Sequence, residues 1–411
     1  MSLRDRFRFR CYGCGNTAPL EPHFMACPAC GEPFSIEATA QVNASLFETP
    51  PRSLWSYREL LPVDLDDSIV SLNEGATPLT DAPRLAKSIG AGQVLLKVET
   101  GNPTGSFKDR QVSVGISHAR EIGSDTVAVV SSGNVACAAA AFAARAGMRA
   151  VLFMHGMAGA GKTAQAASYG PTVVRVASPS AGDVFKLCVE ACDTFGWYHL
   201  STAGMYNPYN VEGAKTIAYE MFCQTHGDLP DWIVAAVGGG GLLGGIWRGL
   251  LDLKRLGLIS KLPRLAGMQA TGCAPLKKAI DNNTPFLETL KDPWPNPKTI
   301  AGGIADDIIF DGHTVLPAIR TTNGAAIAID DDAILAGELE LARSEGILCE
   351  PTCAGVIAAM RHLPDITSST RIACIVTGTG IKDLDAIRDH VAKPHDIDPS
   401  LESLKRAVGL P

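Results

Sequence analysis

From Asn73 onward the chain alternates between short apolar runs rich in β-branched residues and longer Ala-rich segments of helical period. "TVAVVSS" is followed by "NVACAAAAFAARAG", "RAVLFM" by "KTAQAASYG", and "DWIVAAV" by "LLGGIWRGLLDLKRLG". A continuous apolar run suits a strand covered on both faces, and the segment after it supplies the cover. Strand–turn–helix units in series therefore predict an α/β fold with mostly parallel sheet. "RIACIVTGTG" adds another buried strand near the end. Ligands collect beyond the carboxyl ends of such strands, so the turns that follow these runs are the places to search for chemistry. Residues 1–40 break the pattern, with "CYGC" and "CPAC" in a small separate unit, and a Pro-containing connector follows through "ETPPRS" and "LLPVDLDD".

Composition narrows the function. The 411 residues suggest two or three domains, and 46% hydrophobic against 19% charged residues provides for a sizeable core. A net charge of −7 argues against binding nucleic acid by counter-ion release. No apolar run is long enough to cross a bilayer, since the one near "CAAAAFAARAG" is interrupted by Arg145 and Arg149, and "MSLRDRFRFRC" lacks the apolar stretch of a secretory signal. With twelve cysteines in such a chain, reduced thiols or metal ligands are expected, in a cytoplasmic setting.

Cys11, Cys14, Cys27 and Cys30 form C-x2-C-x12-C-x2-C, with Gly15 and Gly31 directly after the two pairs. Two such hooks bring four thiolates to one tetrahedral Zn²⁺, and a glycine after each allows the tight turn. Four protein ligands leave no open position, so the expected role is structural. The bland reading is four buried or redox cysteines. The other eight cysteines have no comparable spacing and read as small buried hydrophobes.

Two loops compete as phosphate sites. "GMAGAGKT", Gly156–Thr163, matches G-x-x-x-x-G-K-[ST] and taken literally predicts an NTPase with Lys162 on the terminal phosphate. Against it, the helix that follows is stopped by Gly170-Pro171 and no later apolar strand ends in an acidic Mg²⁺ partner. "VGGGGLLGG" contains G-x-G-x-x-G between a strand and a helix, but the next strand, "RLAGMQA", places no carboxylate for a ribose. Four consecutive glycines at a helix N-terminus still offer a concave set of N–H donors for one phosphate.

A lysine beside a monophosphate cradle points to a phosphorylated aldehyde held as a Schiff base, as pyridoxal phosphate is. "NPTGSFKDR" (102–110) resembles the lysine motif of fold-type II pyridoxal-phosphate enzymes. "NEGATPL" (73–79), "SSGN" (131–134), "GKTAQ" (161–165), "NPYNVEGAKTIAYE" (207–220) and "VTGTGIKD" (376–383) stand in the order of the threonine synthase-like members. The resemblance covers roughly residues 70 to 390. It implies two parallel-sheet α/β domains: a large cofactor-binding one from 41–107 and 206–395, and a small one at 108–205. A zinc ribbon at 1–40 and a tail at 396–411 complete the chain.

By the same resemblance Lys108 carries the cofactor and Phe107 lies beside it. Asn134 bonds the phenolic oxygen, Gly238, Gly239, Gly240, Gly241 and Leu242 take the phosphate, and Thr377 faces the pyridine nitrogen. Ser131 and Ser132 hold the substrate carboxylate, with Asn207 and Lys162 as further substrate-side candidates. A neutral hydroxyl at the ring nitrogen leaves the ring a weaker electron sink, which suits elimination and replacement over transamination. Freed by the substrate amine, Lys108 moves protons as a general acid/base. The resemblance also implies a homodimer.

The pattern departs from threonine synthases at two points. "GGGGL" looks more like the phosphate loop of threonine or serine dehydratases, and Asn210 stands where many relatives carry an arginine that could pair bidentately with a phosphate. Two activities therefore stay open: conversion of O-phosphohomoserine and water to threonine and phosphate, and an ammonia-lyase reaction giving a 2-oxo acid. The ribbon and "TGTGIKD" favour the first, the glycine loop and Asn210 the second.

Overall fold

A computed structural model describes residues 3–22, 26–155, 159–178 and 181–410. Residues 156–158, the start of the "GMAGAGKT" loop, lie outside the described residues. Three strands, β1 (Phe7–Arg10), β2 (Thr17–Pro19) and β3 (Ser35–Ala38), form an antiparallel sheet in the order β2-β1-β3. Strands β4 (Leu79–Asp81) and β5 (Gln93–Val98) then begin a second sheet. Four parallel strands make a third: β6 (Thr126–Val130), β7 (Arg149–His155), β8 (Thr172–Val176) and β9 (Tyr198–His199), in the order β8-β7-β6-β9. The chain returns to the second sheet with β10 (Trp232–Ala236), β11 (Arg264–Ala270), β12 (Ala325–Ile329) and β13 (Arg371–Val376). That sheet runs β12-β11-β10-β13-β5-β4 and is parallel except for β4.

Side chains alternate across each parallel sheet, so each face owns a separate core. Ile233, Ala235, Ala373 and Ile375 pack on one side of the six-stranded sheet, while Val234, Ala236, Cys374 and Val376 pack on the other. In the four-stranded sheet Val127, Val129 and Leu152 face one cluster and Ala128, Val151 and Phe153 its opposite. The all-alanine middle of the helix Asn134–Ala146 is buried against the first of these, where small side chains let helix and strands approach closely.

The cysteine unit is not an appendage. Phe7, Phe9, Phe34 and Ile36 belong to the same buried cluster as Leu243, Ile246 and Trp247 of the helix Gly241–Arg255. Tyr12 packs on Trp247 with ring centroids 4.8 Å apart, and Arg255 Nη1 donates to Ala40 O at 2.8 Å. The four thiol sulfurs lie within 4.8 Å of one another, and both glycines that follow the hooks take positive φ, 79° at Gly15 and 78° at Gly31. Among the described residues no helix is long and apolar enough to cross a membrane.

Candidate active site

The turns after six parallel strands converge on one cleft. The turn after β5 leads to Lys108, that after β6 to Ser131–Asn134, that after β9 to Thr202, and those after β10 and β13 to Gly238–Gly241 and Thr377. The segment after β7 delivers Lys162 on the helix Ala160–Ser168. Local bonds fix the lysine loop. Asp109 accepts from Thr104 N at 2.6 Å and from Thr104 Oγ1 at 2.5 Å, and Phe107 N donates to Thr377 O at 2.9 Å. The loop thus rests directly on the end of β13.

Lys108 opens the helix Lys108–Glu121, and its ammonium lies 4.7 Å from the centroid of the Phe107 ring. Its polar contacts are long, 3.2 Å to Gln111 Oε1 and 3.3 Å to Thr202 Oγ1. Burial pulls its pKa down to about 8, although Asp306, Asp311 and Glu350 pull the other way. An amine with that pKa is partly unprotonated near neutral pH, which a nucleophile requires.

Behind the loop lies a fully buried ion-pair cluster. Arg110 Nε donates to Glu99 Oε2 at 2.7 Å and its Nη1 to Glu220 Oε1 at 2.5 Å, while Lys97 Nζ meets Glu220 Oε2 at 2.6 Å. Thr77, Thr216 and Gln224 complete the hydrogen bonds. Burial alone would raise the Glu220 carboxyl, but Arg110 and Lys97 more than offset it and hold it at about 2. The motifs "NEGATPL", "NPTGSFKDR" and "AKTIAYE" meet here, two residues from Lys108, so this part of the sequence pattern serves placement of the lysine and not ligand contact.

The glycine turn lies under a cover of side chains. A Cβ on Gly238 would meet Asp306 Oδ2 at 2.6 Å, and one on Gly241 would meet Thr202 O at 2.9 Å, so larger residues have no room. Gly240 adopts φ 103° and leads into the Gly241–Arg255 helix, whose N-terminal amides suit an anion. Two carboxyls share this cover. Asp306 accepts a bond from the Gly239 backbone, and Asp311 Oδ1 accepts from Gly204 N at 2.7 Å. Burial raises them to about 6 and about 7, against Lys108 for the first and Arg248 foremost for the second. Around the cleft the buried Thr377 Oγ1, Gln111 Nε2 and Asp311 Oδ2 have no hydrogen-bond partner among the described residues. A lysine with a depressed pKa, a glycine cradle and an orphaned hydroxyl fit pyridoxal phosphate.

The structure brings most of the expected site residues together. Ser131 and Ser132 are half-buried at the end of β6, where Ser131 Oγ accepts from Gly133 N at 3.2 Å. Asn134 bonds Glu350 and Lys382, and Lys162 Nζ pairs with Glu350 Oε2 at 2.9 Å and Asp383 Oδ2 at 3.2 Å. Asn207 is placed differently: it donates to His199 O at 3.0 Å and accepts from the Tyr209 and Asn210 backbone amides, holding its own turn. Asn210 is fully buried beside Gly115 and donates to Ser201 O at 2.8 Å, so an arginine at this point of the chain would have no space in the present packing. Sequence reading passed over Glu350, Asp306, Asp311 and Lys382. Glu350 and Lys382 lie in "EPTCAG" and "VTGTGIKD", and the acid-rich "GGIADDIIFDG" is the available signal for the aspartates.

Comparison with known proteins agrees with this chemistry. A family model described as "Pyridoxal-phosphate dependent enzyme" matches residues 70–378. A threonine synthase of Methanosarcina acetivorans is 34% identical over 409 residues, covering 98% of each chain. One from Methanocaldococcus jannaschii is 35% identical over 410 residues, covering 97% of this chain and 98% of its own. One from Mycobacterium tuberculosis is 36% identical over 355 residues, covering 85% and 94%. Among solved structures, maize serine racemase superposes with a TM-score of 0.65 at 22% identity, over 76% of this chain and 91% of its own, a likeness of fold. With the cradle, the lysine and relatives matched over nearly the whole length, the chain belongs to the pyridoxal-phosphate-dependent enzymes, within their threonine synthase family.

Proposed function

We propose that the chain is a threonine synthase: with bound pyridoxal phosphate it converts O-phosphohomoserine and water to threonine and phosphate. The observation that carries this reading is similarity to threonine synthases at 34–35% identity across 97–98% of the chain. The cofactor, when bound, withdraws electrons from the substrate's α-carbon. The chain's own residues do the rest. Lys108 Nζ, with a pKa near 8, takes and returns protons at the carbon skeleton. The amides of Gly238–Leu242 hold the cofactor phosphate, and the neutral Thr377 hydroxyl faces the ring nitrogen without imposing a charge. Ser131 and Ser132 orient the substrate carboxylate. Lys162, a cation beside the cleft, exchanges its carboxylate partners for the substrate's phosphate; it takes the part that Asn210 leaves unfilled. The four thiolates Cys11, Cys14, Cys27 and Cys30 hold a structural Zn²⁺, a fit supported by the 4.8 Å grouping of their sulfurs. A homodimer, implied by the family resemblance, is checked by light scattering.

Purified holoenzyme incubated with O-phosphohomoserine should release phosphate and threonine in equal amounts. Formation of a 2-oxo acid from threonine or serine, with no phosphate released from O-phosphohomoserine, would overturn the reading in favour of an ammonia-lyase.

A further inference from the structure

Asn134 is the first residue of its helix, and its side-chain amide is held at both ends. Lys382 Nζ donates to Oδ1 at 3.0 Å, and Nδ2 donates to Glu350 Oε1 at 2.7 Å. The other Glu350 oxygen pairs with Lys162. Cation, carboxylate, amide and cation form a line from the helix Ala160–Ser168 to the segment Gly380–Ala386. Turning the amide by 180° would set N–H groups against the ammonium and a carbonyl against the carboxylate, so one orientation is enforced. The amide nitrogen carries two protons; Glu350 takes one, and the second is left for a ligand. The lysine motif and the β13 turn leave room for this line: a Cβ on Gly378 would strike Glu350 Oε1 and come within 3.3 Å of Asn134 Nδ2, and one on Gly105 would come within 3.3 Å of Lys382 Cε.

We infer that Lys382 is a positioning residue for the cofactor, acting through Asn134: it locks the amide so that its second N–H meets the cofactor's phenolic oxygen, and strengthens that donation. The inference rests on the assignment of Asn134 to that oxygen. An ammonium on the carbonyl polarises the amide, and a stronger donor favours the ionised form of the oxygen it meets. The charged and titratable groups facing Lys382 are Cys137, Asp109, Glu350 and Lys162. Burial lowers its pKa, the first three oppose that, and Lys162 adds to it.

The test is a pH titration of the visible absorption of the bound cofactor in the holoenzyme and its variants. In Lys382→Met the midpoint should move up by about one pH unit. Asn134→Ala should move it at least as far, and adding Lys382→Met to Asn134→Ala should change nothing more. Lys382→Arg, which keeps the charge, should stay near the parent, and Lys382→Gln should fall between. Should Lys382→Met fail to fold, the Gln and Arg variants carry the same comparison. A parent-like midpoint in Lys382→Met beside a shifted Asn134→Ala would overturn the role of Lys382 and leave the Asn134 assignment standing. Equal Lys382→Met shifts with and without Asn134 would mean the charge acts directly, and the positioning role falls. An unshifted Asn134→Ala would sink the assignment and the inference together.

Discussion

Two clusters of cations and carboxylates flank Lys108, and they differ in how completely their bonds are made. Behind it, Arg110, Lys97, Glu99 and Glu220 are fully buried, two charges of each sign, with Glu220 bridging Lys97 and Arg110 and Glu99 paired with Arg110. In front, Lys162, Glu350, Asn134 and Lys382 form an open line at the cleft, close to Thr377, whose Oγ1 has no partner among the described residues. A saturated cluster in a low-dielectric interior has one low-energy arrangement and fixes the backbone that carries the lysine. An unsaturated one keeps donors and acceptors free for a ligand, at the expense of native stability. Placement and chemistry have been divided between the two.

The largest test of that division is Lys108→Ala. It should cost about 10³-fold or more in turnover and abolish the visible band, with the unfolding midpoint of the cofactor-free protein nearly unchanged. Replacing Arg110 by Met attacks the other cluster. It strands Glu99 in the interior and leaves Glu220 to Lys97 alone, and urea unfolding should show a loss of about 3–5 kcal/mol. A loss under 1 kcal/mol would mean the cluster does not hold the loop as described.

Asp306 and Asp311 sharpen the comparison through pH. Their folded pKa values, about 6 and about 7, lie above the unfolded carboxyl value, so the folded chain keeps protons that the unfolded chain releases. Their stabilisation is whole below about pH 4 and is lost as pH rises towards 7. For the cofactor-free protein this amounts to about 3–4 kcal/mol for each carboxyl, and Asp306→Asn with Asp311→Asn should flatten the slope in denaturant titrations at several pH values. An unchanged slope would place the titration elsewhere. The smallest effect belongs to Thr377→Val. Its Oγ1 bonds nothing among the described residues, so unfolding free energy should change by less than about 0.5 kcal/mol while the absorption of the bound cofactor changes. A larger loss of stability would show a protein partner for that hydroxyl.

Much of the candidate site is local in the chain. Lys108, the four glycines and Thr377 each follow a strand whose apolar run is visible, and a turn after a parallel strand opens into the cleft; the roles proposed for them come from the family resemblance. The cysteine hooks are equally local, and the positive φ at Gly15 and Gly31 is what a glycine after each hook implies. Asn207 shows the limit of this reasoning. Its motif is part of the family pattern, yet its amide is spent on the backbone around it, because which way a turn's side chain points depends on packing. Asn210, weighed as a missing anion partner, lies buried under the Lys108–Glu121 helix.

Periodicity and spacing, which act over one or two elements, determined by themselves the parallel α/β architecture and the thiol quartet, and they set the lysine loop and the glycine turn after strands, while the roles given to those two come from the family resemblance. Tertiary structure alone decided that Glu99 and Glu220 would neutralise Arg110 and Lys97, that Lys382 would reach Asn134 across 248 positions, and that Asp306 and Asp311 would cover the glycine turn. The physical reason is the range of the forces involved. Backbone geometry and hydrophobic alternation are written residue by residue. Charge pairing depends on distances in space, and those exist only once the two parallel sheets and their turns have come together around the cleft.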